Sequence, residues 1–338
     1  MNGGKVIRGL ASLILLLCLG LPWVDGPATD LAVLVGLLAL ALMRTISLAA
    51  ADRSQLSATA ICLVLIFAGY ASLQWRLGLP PTVAGVCLLT GLGWLTHWFP
   101  IPRLPREYRN FSFRELFLGY LVPMLLTAVV FDRLAPRFVG HGEIQAVFMP
   151  VAVLPLILAA VRMHFARTIR EMLAYSAVIP VCAGMATLSL SLWDLDHATP
   201  NLTLESAAPL LSGREILQWS IITFTGSWLV TAAGAKLQEG ERVTTGRILV
   251  GLGVLSLIGI PPFPGYWWRL ALLSALTIPH SRSRLTWLYE VVPGNFLFAG
   301  LLAAGFIFVM IAWLGQLRCG PRVPIRRPLN GNSTKATS

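Results

Sequence analysis

Few side chains in this sequence are equipped for chemistry, and the candidates lie beside residues that end helices. Arg269 closes the run Pro261-Pro262-Phe263-Pro264-Gly265-Tyr266-Trp267-Trp268-Arg269, and His97 stands in Leu95-Thr96-His97-Trp98-Phe99-Pro100. His164 lies near the end of another apolar block. An imidazole titrates near neutral pH and can pass a proton. A guanidinium stays charged, so it holds a water or a carboxylate, or sets the field of a cavity. Arg269 therefore has three readings: a side chain snorkelling to headgroups, a structural charge in a closed channel, or a part of a transport path. His97 and His164 each have two, proton uptake or the capping of a helix end.

Other chemistry finds no residues to carry it. The five cysteines (Cys18, Cys62, Cys87, Cys182, Cys319) are scattered singly, so neither a metal site nor a disulfide framework is expected. No nucleotide-binding glycine motif occurs, and no cofactor is expected. No acidic residue lies deep within an apolar block, and no lysine occurs between positions 6 and 235. A buried lysine can carry protons because desolvation lowers its pKa; over that stretch such a relay is excluded.

The elements that must hold these residues are apolar and long. Of 338 residues 56% are hydrophobic and 12% charged, where soluble domains carry about 25% charged residues. Blocks of about 20 apolar residues match a hydrocarbon core of about 30 Å, and uncharged blocks of that length read as helices. The expected fold is an all-α integral membrane protein of about ten transmembrane helices. The spans are 6–24, 29–50, 56–75, 81–99, 114–132, 145–163, 172–192, 215–235, 247–278 and 294–316. The ninth is too long for one plain helix and must break at Pro261, Pro262, Pro264 and Gly265. A break at membrane depth survives only where protein or a wet cavity covers the freed carbonyls. The first block has the outline of a signal peptide without a small-x-small cleavage site, and is expected to stay as a helix.

The net charge of +11 does not point to nucleic acid, because the basic residues sit in short loops and in the tail. With the N-terminus inside, the cytoplasmic segments hold 19 Lys and Arg against 7 on the other side. The positive-inside rule then gives a multi-pass protein of the cell's inner (plasma) membrane with both ends cytoplasmic. Residues 1–317 form the membrane domain, and 318–338 read as a basic, disordered tail able to rest on anionic lipid. Glu115 and Glu171 are expected in cytoplasmic first turns, where a carboxylate favours the helix N-terminus. Trp94, Trp98, Tyr108, Trp193, Trp219, Trp267, Trp268, Trp287 and Tyr289 read as an interfacial belt. No internal repeat is apparent.

Three segments together resemble the antiporter-like membrane subunits of respiratory complex I, membrane-bound hydrogenases and Mrp antiporters, and most of all NADH-quinone oxidoreductase subunit N. Arg170-Glu171-Met172-Leu173-Ala174-Tyr175-Ser176-Ala177 is similar to that family's basic-Leu-Leu-Ala-Tyr-Ser-Ser turn. Gly259-Ile260-Pro261-Pro262 through Gly265 to Arg269 is similar to its broken helix, in which an ionisable residue follows Gly-x-Pro-Pro and Gly-aromatic. His97-Trp98-Phe99-Pro100 looks like a degenerate form of its Pro-Phe-His-x-Trp-Leu-Pro end. The resemblance is strongest over 160–275, and it implies fourteen helices with the first three missing here.

The family's relay of buried Lys, Glu and His is largely absent from the matching positions. Arg44, before Ser47, stands where the family has Glu; Thr90 stands where it has Lys; residues 115–131 contain no basic residue. The resemblance therefore implies a membrane-arm subunit of a proton-translocating, complex I-like assembly, structural or with a degenerate proton path. Its partners would be other membrane subunits and lipid, with quinone nearby in the complex and no catalytic residue of its own. Arg269, His97 and Arg44 are the remaining candidates for that path. The rival is a stand-alone secondary transporter, because discontinuous helices commonly build midplane sites; a scaffold subunit of another membrane complex is a third expectation.

Overall fold

A computed structural model describes residues 32–40, 53–75, 78–99, 112–134, 142–196, 213–239, 242–277 and 294–319, with a few isolated positions. Arg44, nearly all of the first expected span, residues 278–293 and the tail beyond 319 lie outside the described residues. Among those described, 89% are helical and none is in a strand, so the fold is a packing of helices alone.

The helices are α1 (Arg53–Trp75), α2 (Pro81–Thr96), α3 (Phe113–Leu134), α4 (Gly142–His164), α5 (Ile169–Ser176), α6 (Val178–Asp196), α7 (Gly213–Gln238), α8 (Val243–Ile258), α9 (Pro264–Thr277) and α10 (Gly294–Cys319). Residues 32–40 are helical as well. Five stretches are long and apolar enough to cross a membrane: 57–75, 113–134, 147–164, 215–238, and 169–188 across α5 and α6. α2, α8 and the middle of α10 are apolar but shorter.

Glycines set how the helices approach. α7 and α8 form the most extensive pair, and α1 with α2 the next. A Cβ on Gly234 would lie 2.7 Å from Val250 N, and one on Gly246 2.7 Å from Gly234 O. In the α1–α2 pair a Cβ on Gly69 would meet Ala84 O at 2.6 Å, and one on Gly91 would meet Cys62 O at 2.8 Å. Helices in lipid gain little from burying apolar surface, so close backbone approach at small residues supplies their association.

Three helices depart from regular geometry in the interior. Residues Phe117–Leu121 of α3 form a π-helical turn. The α5–α6 rod bends at Ala177, where Pro180 has no N–H for the carbonyl of Ser176 and crowds it. The chain of α8 stops at Gly259 and restarts at Pro264 as α9. The 247–278 block of the sequence is thus two helices; Pro261 and Pro262 lie in the break as expected, whereas Pro264 and Gly265 open the second helix.

Several ends meet on one side of the bundle. The Arg170 guanidinium lies 4.9 Å above the Phe113 ring, and its Nη2 is 2.6 Å from Glu239 Oε1. The starts of α3 and α5 and the end of α7 therefore share a face. Both acidic residues expected in first turns cap there. Ser112 and Glu115 form a reciprocal capping box; Thr168 Oγ1 accepts from Glu171 N, while Glu171 Oε2 accepts from Arg167 N at 2.8 Å.

Candidate functional site: the guanidinium at the helix break

The break begins with a Schellman arrangement. Gly259 adopts φ 75°, its N–H donates to Ser256 O at 3.1 Å, and Ile260 N–H donates to Leu255 O at 3.1 Å. In a continuing helix the next two carbonyls, of Leu257 and Ile258, would accept from residues 261 and 262. Both are proline and have no N–H. The Pro-Pro pair thus leaves two carbonyls at the end of α8 without backbone donors.

Arg269 answers one of them. It lies in the second turn of α9, and helical side chains lean toward the N-terminus of their helix, which here means back toward α8. Its Nη2 donates to Leu257 O, and its Nη1 donates to Gly265 O at 2.7 Å. The Trp268 ring lies 4.5 Å from the guanidinium carbon and the Phe306 ring of α10 4.9 Å; the two rings meet edge to face at 5.8 Å. Carbonyl oxygens and ring faces both carry negative partial charge, so among the described residues the cation is held by these groups and by no carboxylate. The negative end of the α8 macrodipole points the same way.

Two glycines make room for this contact. A Cβ on Gly259 would sit 2.6 Å from Arg269 Nη1, and one on Gly265 would sit 1.8 Å from Ser256 O. With 6% of its surface exposed, Arg269 does not extend toward headgroups; the snorkelling alternative is corrected by this burial. The reason is local: the orphan carbonyl of Leu257 accepts from the guanidinium.

A hydroxyl seam runs from the break into the α7–α8 interface. Ser227 Oγ and Ser256 Oγ are 2.6 Å apart and buried, and Thr231 Oγ1 donates to Ser227 O at 2.8 Å. Ser227 Oγ also lies 2.6 Å from Thr223 O. Beside it, Trp228 Nε1 donates to Leu173 O at 3.0 Å. That carbonyl lacks its helical donor because Ala177 N–H bonds instead to Ala174 O, and it accepts from Ser176 Oγ at 2.8 Å as well. The Trp228 ring also packs on Phe117 at 5.6 Å. One short stretch of α7 thereby touches the π turn of α3, the bend of α5–α6 and the end of α8.

The other candidates sit elsewhere. His97 is the left-handed residue after α2, with φ 63°; its N–H donates to Trp94 O and Trp98 N–H donates to Gly93 O. Histidine is among the few non-glycine residues enriched at positive φ, and here its backbone caps a helix. His164 ends α4 on the surface, its ring 5.5 Å from that of Phe165. Arg269 and His97 belong to different helix pairs and share none of these contacts.

The aromatic belt needs correction. Trp94, Trp219 and Trp267 are exposed, but Trp98 and Trp268 are buried in the protein. Trp228 and Trp313 are also buried, and nothing in the belt pattern singled them out. The available signal for Trp228 was the proline-induced gap one helix away. Among the described residues no three His, Cys, Asp or Glu side chains come together as a metal site requires. Compared with known proteins, the chain matches no family model and no curated protein.

Proposed function

We propose that this chain is a membrane-embedded subunit of an energy-converting assembly of the complex I type, related to its antiporter-like subunits and nearest to subunit N. The contact between Arg269 and the Leu257 carbonyl carries this reading. It occupies the broken helix at the position where the resemblance puts an ionisable group, and it fills that position with a cation that does not release its proton. Here the subunit braces the helices around a proton route closed at this point and contributes packing to the complex. It has both ends in the cytoplasm and crosses the inner membrane about ten times. The shared face of Phe113, Arg170 and Glu239 supports that orientation, since charge counting puts all three segments on one side.

Gentle solubilisation of native membranes, capture of the chain and identification of its companions tests this. Hydrophilic flavin and iron–sulfur subunits are the expected companions. A lone protein or a homodimer sinks the proposal and favours the second reading, a stand-alone secondary transporter. The observation behind that alternative is the discontinuity between α8 and α9, since broken helices build midplane sites in transporters.

A further inference from the structure

The loop between α4 and α5 combines an apolar side chain in the open with arginines that no described acid answers. Phe165 is 75% exposed, the highest value for any large hydrophobic residue among those described. It continues a strip on α4: Leu154 and Val161 are exposed as well, and positions 154, 161 and 165 share one helical face. Arg162 is exposed beside that strip, and Arg167 is exposed just past it.

The three described acids at this end of the bundle are already engaged. Glu115 is held by Ser112, Glu171 accepts from the Arg167 backbone N–H, and Glu239 pairs with Arg170. Arg162 and Arg167 therefore face outward with their charge uncompensated by these carboxylates. α4 has 23 residues, a length of about 35 Å, so its end falls at the level where hydrocarbon gives way to headgroups.

We propose that Arg162, Phe165 and Arg167 form a binding site for an anionic phospholipid of the leaflet at this end. The phosphate lies between the two guanidinium groups, and Phe165 inserts beside the acyl chains. Arginine suits phosphate through its planar donor fork, and an aromatic ring suits the boundary between chain and headgroup. The inference rests on the reading that the chain spans a membrane, not on which complex it joins.

The test uses the full-length protein in detergent, titrated with phosphatidylglycerol or phosphatidylcholine, with bound lipid counted by native mass spectrometry. The wild type is expected to prefer phosphatidylglycerol. Arg162→Ala and Arg167→Ala each lower that affinity about fivefold, the worth of one basic residue at an anionic surface, and leave phosphatidylcholine unchanged. Phe165→Ser weakens both lipids. Equal uptake of the two lipids by the wild type, or a preference that survives the double arginine variant, overturns the proposal. So does a wild type that instead binds an acidic soluble protein through these arginines. Release of the protein from membranes without detergent would show that the membrane reading itself had failed.

Discussion

The α1–α2 and α7–α8 hairpins share a glycine pattern and a type of cap, though the cap follows the pattern directly in one and three residues later in the other. In each, a longer helix packs through glycines on a 16-residue partner. The partners share the pattern Gly-Leu-Gly-x-Leu-Thr/Ser: Gly91-Leu92-Gly93-Trp94-Leu95-Thr96, and Gly251-Leu252-Gly253-Val254-Leu255-Ser256. Each ends in a left-handed residue with the same pair of backbone hydrogen bonds around it, at His97 and at Gly259. They part company after the cap. Behind His97 the ring of Phe99 folds in, so close that a Cβ on Gly93 would lie 2.7 Å from Phe99 Cβ. Behind Gly259 two prolines withhold donors and a guanidinium supplies one. The same cap closes a helix in one hairpin and carries a buried charge in the other; the residues beyond the cap make the difference.

Exchanging the caps should have the largest effect. Gly259→His asks for the backbone that His97 adopts, but its Cβ would collide with Arg269 Nη1. The expected loss is about 3 kcal/mol, the upper part of the range for overpacked sites, and a thermal melt of the purified variant reads it. If Gly259→His melts like the wild type, the guanidinium is not fixed where the structure puts it.

Arg269→Ala comes next. It frees the Leu257 carbonyl in a buried site, which costs about 1–3 kcal/mol; in the assembly proposed above it should lower the amount of assembled protein more than the transport per assembled complex. Arg269→Lys keeps the charge but loses the two-pronged geometry, and should fall between the alanine variant and the wild type. Normal assembly of the alanine variant with abolished pumping would instead make Arg269 part of a conduction path.

Two neighbouring glycines test helix approach within one hairpin. A Cβ on Gly253 would lie 2.2 Å from Thr231 Oγ1, whereas nothing lies within 4 Å of one on Gly251. Gly253→Ala is expected to destabilise by about 1–3 kcal/mol, and Gly251→Ala to be neutral or to gain up to about 1 kcal/mol from helix propensity. Melting curves that fall equally for both would rule out close packing as the cause.

His97→Gly has a small effect, in the stabilising direction. Relief of positive-φ strain worth about 1–2 kcal/mol, partly offset by glycine's greater chain entropy, predicts a slight rise in melting temperature. A fall would reveal work done by the imidazole beyond the cap.

The similarity of the two hairpins was present in the sequence yet hard to see there. A six-residue pattern in a chain of 338 carries little weight by itself, and the backbone shows the same kind of turn directly after Thr96 but three residues after Ser256. The break itself was readable, because Pro261 and Pro262 cannot continue a helix in any surroundings. The bend at Ala177 was less so, since prolines at 150 and 155 sit inside α4 without ending it. The bury-or-expose choice for tryptophan was not readable at all. Trp267 and Trp268 are adjacent, yet Trp267 is exposed while Trp268 packs inside against Phe306 of α10 and the Arg269 guanidinium.

Residue types alone thus established an all-helical chain built for lipid, the position of its break and the scarcity of groups able to carry a proton. Those properties come from composition and from proline's missing N–H, which act residue by residue. The packed helices were needed to show that Arg269 turns inward, that Trp228 serves a carbonyl 55 residues away and that His97 lends its backbone to a cap. The first two depend on which orphaned carbonyl or ring another helix brings within reach, and the third on a turn that Phe99 closes. A hydrogen bond across helices is set by packing, and packing is not a property of any one segment.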